Sequence, residues 1–96
     1  MPVYVIVQGK IEDRASLDQY MAKAGPTIAP YQGRLLAYDE DPEVIEGTLE
    51  HPRTVLIEFP SVKEARAWYD SPEYQKIVSL RIKGAPGTMI VVNGAD

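Results

Sequence analysis

The chain has 96 residues, a formal charge of −4 and no cysteine. A chain of this length is expected to form one domain, residues 1–96, with a modest core that buries roughly 60 to 65% of the unfolded surface. The net negative charge and scattered basic residues exclude nucleic acid as a partner, and the missing cysteines exclude a disulfide framework, a thiolate nucleophile and a zinc finger.

The N-terminal third predicts a strand followed by a helix. Residues 3–8 alternate as a strand does, and residues 1–8 lack the basic start and long apolar run expected of a signal peptide or membrane anchor. Ser16 with Gln19 three residues later predicts a capping box. Gly25-Pro26 is expected to kink the helix or cut it short, because proline removes a backbone donor. One helical stripe carries Leu17, Tyr20, Met21, Ala24 and Ile28.

The middle of the chain predicts two further strands. Residues 34–39 follow the turn 30–33, and residues 53–59 form the most regular strand, with Val55, Ile57 and Phe59 on one face. Residues 43–47 could add a brief strand or hairpin arm before the loop that contains His51.

The last third predicts two helices and a final strand. Ser61 with Glu64 forms a capping box for a helix that ends near Asp70. Ser71-Pro72 starts a second helix, which runs to about residue 81, and residues 88–93 form the last strand. The order strand, helix, strand, strand, helix, strand is the ferredoxin-like βαββαβ plan, an α+β fold with helices on one face of an antiparallel sheet.

The second face of the predicted sheet is too apolar for a surface in water. A monomer would expose it, so we expect burial against a second copy, which makes the chain a homodimer with its two sheets face to face. The apolar side chains assigned to this face are Tyr4, Ile6, Leu36, Tyr38, Leu56 and Ile90.

Several segments together carry a family resemblance. They are Tyr31-Gln32-Gly33-Arg34, Val44-Ile45-Glu46-Gly47, Glu58-Phe59-Pro60-Ser61, Ala65-Arg66-Ala67-Trp68-Tyr69 and Ser71-Pro72-Glu73-Tyr74. In these segments the chain resembles the DUF1330 family of small bacterial proteins, from Pro2 to about Val92. The resemblance implies a dimeric α+β barrel, a superfamily that also holds cofactor-free monooxygenases, muconolactone isomerases and haem-handling enzymes. It implies no catalytic residue, and Gln32 stands where the family pattern leads us to expect a second glycine.

Glu58 is the candidate catalytic residue. A carboxylate in the middle of a strand, on a face expected to be buried, must be paired or have a raised pKa. It could form an ion pair with Arg34 or Arg53, or it could act as a general base. Tyr31 with Arg34 could hold a carboxylate or phenolate, or the two could be a turn tyrosine and a strand-edge arginine.

The remaining candidates are one histidine and three aromatic residues. His51 is the only histidine, hence the only strong haem or metal ligand, but it has no partners at metal-site spacing, so a solvated loop residue is expected and neither a metal nor a cofactor is predicted. Trp68, Tyr69 and Tyr74 could stack on a ligand or fill the core.

The sequence therefore predicts a cytoplasmic homodimer without a membrane segment, with a small apolar cavity between helices and sheet. As an enzyme it would resemble a monooxygenase or isomerase, acting without cofactor on a small aromatic or hydrophobic acid, with Glu58 as base and with Arg34 and Tyr31 orienting the anion. As a non-catalytic module it would bind a metabolite or serve a structural role. The sequence supplies no set of nucleophile, base and orienting group that would decide between them.

Overall fold

Alternation of buried and half-buried side chains marks the two central strands of the computed structural model, which describes residues 1–95. Asp96, the last residue of the predicted domain, lies outside the described residues. The strands are β1 (Val3–Gly9), β2 (Arg34–Asp39), β3 (Arg53–Phe59) and β4 (Gly87–Asn93), and the helices are α1 (Arg14–Ile28), α2 (Val62–Asp70), α3 (Pro72–Gln75) and α4 (Val78–Gly84). The sheet is antiparallel in the order β2-β3-β1-β4, which is the predicted ferredoxin-like α+β arrangement.

Helix α1 begins earlier and ends later than predicted. Asp13 is its N-cap and accepts a hydrogen bond from the backbone N–H of Ser16 at 3.1 Å, so the capping box predicted at Ser16 and Gln19 is wrong. Aspartate caps a helix as well as serine does, and it stands three residues earlier. Pro26 lies inside the helix and does not cut it short.

A β-bulge in β2 changes which side chains face the helices. Leu35 pairs with Ile57, but Ala37 pairs with Leu56, so Leu36 is an extra residue in the ladder. Beyond the bulge the alternation is shifted by one residue. Tyr38 therefore shares the helix side of the sheet with Val55, and its predicted place on the other face is wrong.

The segment after β3 contains three helices where two were predicted. Ser61 is the N-cap of α2, but its hydroxyl donates to the Glu64 carboxylate and does not accept a bond from a backbone N–H. A bond between the two side chains thus stands in place of the backbone bonds of the predicted capping box. Ser71 caps α3 by accepting from the N–H of Tyr74 at 3.2 Å. The predicted helix 72–81 is divided into α3 and α4. Within the described chain, residues 40–52 form neither helix nor strand, so the hairpin arm considered for 43–47 is not present there.

The core lies between the helices and one face of the sheet. Trp68 and Tyr74 are its largest fully buried side chains, and their ring centroids are 4.3 Å apart. Phe59 also packs against the indole, with ring centroids 5.5 Å apart. The indole N–H donates to the hydroxyl of Thr27 at 3.0 Å, so the buried donor of Trp68 is satisfied by α1.

The other face of the sheet carries rows of side chains that no helix of the described chain covers. Its middle row consists of Ile6, Leu56 and Ile90 with Ala37 at the edge, which gives an apolar band. The adjacent row contains Glu58 and Tyr4. We refer to this surface, on which residues 4, 6, 8, 54, 56, 58, 88, 90 and 92 alternate outward, as the open face.

Candidate functional site

A cavity of about 120 Å³ lies between α1 and the half of the sheet formed by β2 and β3. We call it the α1 cavity. Ala24 and Gly25 are small, so α1 leaves space above the sheet at this point. The bulge in β2 lets residues on both sides of it, Leu35 and Tyr38, line the cavity. Its wall includes Met21, Ala24, Leu35, Tyr38, Arg53 and Trp68.

Arg53 is the one strongly basic group in this wall. It is the first residue of β3 and is only 2% exposed. Its Nε donates a long hydrogen bond of 3.4 Å to the Tyr38 hydroxyl, and its guanidinium lies 5.2 Å from the centre of the Tyr38 ring. Among residues 1–95, Nη1 of Arg53 has no hydrogen-bond partner and no carboxylate lies within ion-pair distance of the side chain. Arginine stays protonated in proteins, so a positive charge is buried here.

The nearby carboxylate, Glu40, is engaged by another arginine. Arg14 donates to both of its oxygens at 2.9 Å, and the Tyr38 hydroxyl donates to one of them at 2.6 Å. The Arg14 hydrogen bonds, followed by the Tyr38 bond, lower the pKa of Glu40 to about 2. Burial, together with the bond to Glu40, raises the pKa of Tyr38. Glu40 thus remains an anion paired with Arg14, and Tyr38 remains a neutral donor.

A pair of buried tyrosines extends from the cavity wall into the core. The hydroxyls of Tyr20 and Tyr74 are 3.0 Å apart, and their rings meet edge to face. Burial raises the pKa of Tyr20, and the adjacent Tyr74 adds to the shift. Tyr20 lines the cavity, whereas Tyr74 is fully enclosed. The Tyr20 hydroxyl is therefore neutral at ordinary pH.

The structure brings Glu58 and Arg34 together, but on the open face. Arg34 Nη2 donates to Glu58 Oε1 at 3.0 Å. Of the two arginines predicted as possible partners, Arg34 and Arg53, it is therefore Arg34 that pairs with Glu58. Tyr4 is the cross-strand neighbour of Glu58. Tyr31, the predicted third member, packs at the edge of the core instead. The sheet separates the Arg34–Glu58 pair from the α1 cavity.

The other predicted site residues are dispersed. His51 is exposed in the segment 40–52 and lies outside the α1 cavity. Tyr74 is a core residue, whereas Trp68 forms part of the cavity wall. Tyr69 is half-buried and lines a second, more polar recess of about 290 Å³ between α2, α4 and β4. This α4 recess also contains Arg81, a buried arginine whose Nε has no partner within residues 1–95.

Sequence reasoning missed Arg53 and Tyr38 as residues of a common site. Arg53 has the same parity as Val55, Ile57 and Phe59, so the strict alternation of β3 already placed it on the buried face. Tyr38 carried no comparable signal, because its orientation depends on the bulge.

Residues 2–95 match the family model described as a domain of unknown function, DUF1330. The chain belongs to this family. No curated protein matches it. The DUF1330 resemblance predicted from the sequence is thereby confirmed over nearly the whole chain.

Solved structures similar to this DUF1330 chain share its fold at low sequence identity. RPA0582, a protein of unknown function from Rhodopseudomonas palustris, has a TM-score of 0.81 at 15% identity, with 99% of this chain and 83% of that chain covered. A dimeric ferredoxin-like protein of unknown function from Thermobifida fusca has a TM-score of 0.60 at 14% identity, with 96% and 88% covered. An antibiotic biosynthesis monooxygenase has a TM-score of 0.57 at 16% identity, with both chains fully covered at 100%. At these identities the likeness shows the fold alone.

Neither a metal-binding cluster nor a membrane-spanning helix is found in the part of this DUF1330 chain that the structure describes. Residues 1–95 contain no group of three His, Asp or Glu side chains arranged to hold a metal ion. Over the same residues, no helix has the length and apolar character needed to cross a membrane.

Proposed function

We propose that this DUF1330 protein is a cytoplasmic homodimer in which each subunit binds a small, mainly apolar molecule in the α1 cavity. The observation that carries the proposal is the cavity itself, whose wall is apolar apart from Arg53 and two tyrosine hydroxyls. Concave apolar sites with a few polar groups are the usual form of small-molecule sites. Among residues 1–95, no carboxylate lines the cavity, so its wall carries no negative charge that would repel an anionic guest.

Binding is tested by filling the cavity. Ala24 is buried in its wall, and Ala22 is exposed on the same helix. Toluene and benzyl alcohol, observed by ligand-detected NMR, should bind the wild type and the Ala22→Leu variant. They should not bind Ala24→Leu, because the added carbons occupy the space of the guest. Equal binding by both variants would place the guest elsewhere on the protein.

The dimer is supported by the apolar band of the open face and by the dimeric ferredoxin-like protein from Thermobifida fusca, whose fold is similar. Ile90 on the open face and Ile82 on α4 are equally exposed, at 50% and 52%. Light scattering should give the wild type and Ile82→Glu a mass near twice the chain mass of 10.7 kDa. Ile90→Glu should give a single chain mass, since it places a charge in the interface. A dimeric Ile90→Glu protein would refute the sheet-to-sheet arrangement.

A cofactor-free enzyme of the monooxygenase or isomerase type is the second candidate. The observation that favours it is the fold shared with an antibiotic biosynthesis monooxygenase. Glu58 would be the base and Arg34 would orient a small aromatic or hydrophobic acid, both on the open face at the dimer interface. Oxygen consumption and product formation with aromatic acids should then be lost in Glu58→Gln. Turnover that is unchanged in this variant would eliminate Glu58 as the base.

A further inference from the structure

We infer that the ligand of the α1 cavity is a small monocarboxylate with an apolar body, and that the Arg53 guanidinium binds its carboxylate. The inference rests on the proposed function and gives the chemical class of the guest. It assigns to Arg53 the anion-binding role that the sequence pattern suggested for Arg34.

The guanidinium of Arg53 lacks a counter-ion within ion-pair distance among residues 1–95. Burying a charge costs free energy unless the charge is paired and hydrogen-bonded. Arg53 is almost fully buried, and Nη1 is without a partner among residues 1–95. Tyr38 contributes only one long hydrogen bond and the face of its ring. Glu40 attracts Arg53 only from beyond ion-pair distance, and its oxygens already receive three hydrogen bonds, two from Arg14 and one from Tyr38.

The position of Arg53 in the sheet explains why no neighbouring strand supplies a counter-ion. Its cross-strand neighbour on β1 is Gly9, and the next residue across is Gly87 of β4. The ladder between β2 and β3 ends at Thr54, so β2 supplies no neighbour to Arg53. Glycines carry no side chain, hence no cross-strand carboxylate can neutralise the guanidinium. An anion that enters the cavity would supply the missing charge.

The size of the cavity and the polarity of the rest of its wall limit what the body of the ligand can be. A cavity of about 120 Å³ is somewhat smaller than the roughly 150 Å³ engineered cavity that holds benzene in another protein. The α1 cavity is partly open, with Leu35 and Met21 in its wall 54% and 38% exposed, so it accommodates about one six-membered ring or a short branched chain. Met21, Ala24 and Leu35 present apolar surface to such a body. One guanidinium in the wall balances one negative charge, which disfavours doubly charged guests such as dicarboxylates and phosphate monoesters.

The test compares benzoate with benzamide, its neutral counterpart of nearly equal shape, by calorimetry at pH 7. Wild type should bind benzoate at least about 10-fold more tightly, since a charge-assisted hydrogen bond is lost with the amide. Arg53→Met should bind benzoate about 10- to 100-fold more weakly and leave benzamide binding nearly unchanged. Arg81→Met is the matched control, because Arg81 is also buried and has an unpartnered nitrogen but lines the α4 recess. It should bind benzoate as the wild type does.

Each outcome bears on the inference. Equal or tighter binding of benzamide by the wild type would refute carboxylate recognition and leave the proposed apolar site intact. An equal loss of benzoate binding in Arg81→Met would refute the assignment to Arg53. If neither toluene nor benzoate binds, the proposed function fails as well. If Arg53→Met does not fold, the inference is tested with Arg53→Lys and with the preference of the wild type for benzoate over benzamide. Lysine keeps the charge without the planar fork, so we expect a smaller preference for benzoate.

Discussion

Removal of one hydroxyl from the Tyr20–Tyr74 pair should destabilise the protein more than removal of both. The two hydroxyls are buried and lie 3.0 Å apart, each serving as hydrogen-bond partner of the other. Tyr74→Phe leaves the hydroxyl of Tyr20 buried and unpaired, and Tyr20→Phe does the same to Tyr74. An unsatisfied buried hydroxyl costs about 1 to 3 kcal/mol, so each single variant should lose that much free energy of unfolding.

The double variant Tyr20→Phe/Tyr74→Phe removes both polar groups at once. It leaves no unpaired hydroxyl, and the ring packing of Tyr74 on Trp68 is kept. Its free energy of unfolding should therefore be no lower than that of the single variants, whose separate losses sum to about 2 to 6 kcal/mol. The coupling energy between the two sites should be at least about 1 kcal/mol.

Urea unfolding at pH 7, followed by fluorescence, measures these differences. Trp68 is the only tryptophan and is fully buried against Tyr74, so its emission reports the loss of this core. All variants are compared at one chain concentration, because dimer formation would make stability concentration-dependent. Tyr69→Phe is the control: its ring is half-buried, and a change within about 0.5 kcal/mol is expected. Additive losses in the double variant would refute the pairing of the two hydroxyls.

Three other variants test the charge pair at the cavity and the turn before β2. The Arg14 pair lowers the pKa of Glu40 from 4.5 to about 2, so its stabilisation is present above pH 4.5 and is lost as pH falls towards 2. The urea midpoints of wild type and Glu40→Gln should converge over that range, and a constant difference would contradict the pairing. Gln32 has φ 63°, a left-handed conformation that costs a non-glycine residue about 1 kcal/mol, so Gln32→Gly should raise the free energy of unfolding by up to that amount. Gly33→Ala should lower it by about 1 to 3 kcal/mol, because a Cβ there would lie 2.3 Å from Ile28 Cγ2 and 2.6 Å from the Phe59 ring. Thermal unfolding should show a raised midpoint for Gln32→Gly and a lowered midpoint for Gly33→Ala. A stabilised Gly33→Ala variant would contradict the close packing of this turn.

The strands were predictable because their signal is local. Period-two alternation placed β2 and β3 at residues 34–39 and 53–59, the bounds that the structure has. The bulge at Leu36 was not predictable, since no glycine or proline marks it and it exists only through pairing with β3. The start of α1 was predicted wrongly for a different reason. Asp13 and Ser16 are both good caps, and the choice depends on tertiary packing that buries Ser16.

The candidate site was only partly predictable, because it depends on contacts between distant segments. The Arg34–Glu58 ion pair follows from the register of β2 on β3, which residue spacing along the chain does not specify. The α1 cavity likewise depends on the fit of a helix to a bulged strand. The sequence left open whether Trp68, Tyr69 and Tyr74 stack on a ligand or fill the core. Only the structure separates Trp68, a wall of the cavity, from the enclosed Tyr74.

Charges on the two faces of β3 are paired differently, and this difference supports the helix side as the proposed binding site. Glu58 points to the open face and meets Arg34 in the next strand, so its charge is balanced within the sheet. Arg53 points to the helix side at the opposite end of the strand, where its cross-strand neighbours are glycines and Tyr38 of β2 offers no negative charge. A charge already balanced by the fold has little to gain from a ligand, whereas an unbalanced buried charge gains a counter-ion when an anion binds. The apolar cavity and the unbalanced charge occur at the same place, so the helix side is where a small acid gains most from binding.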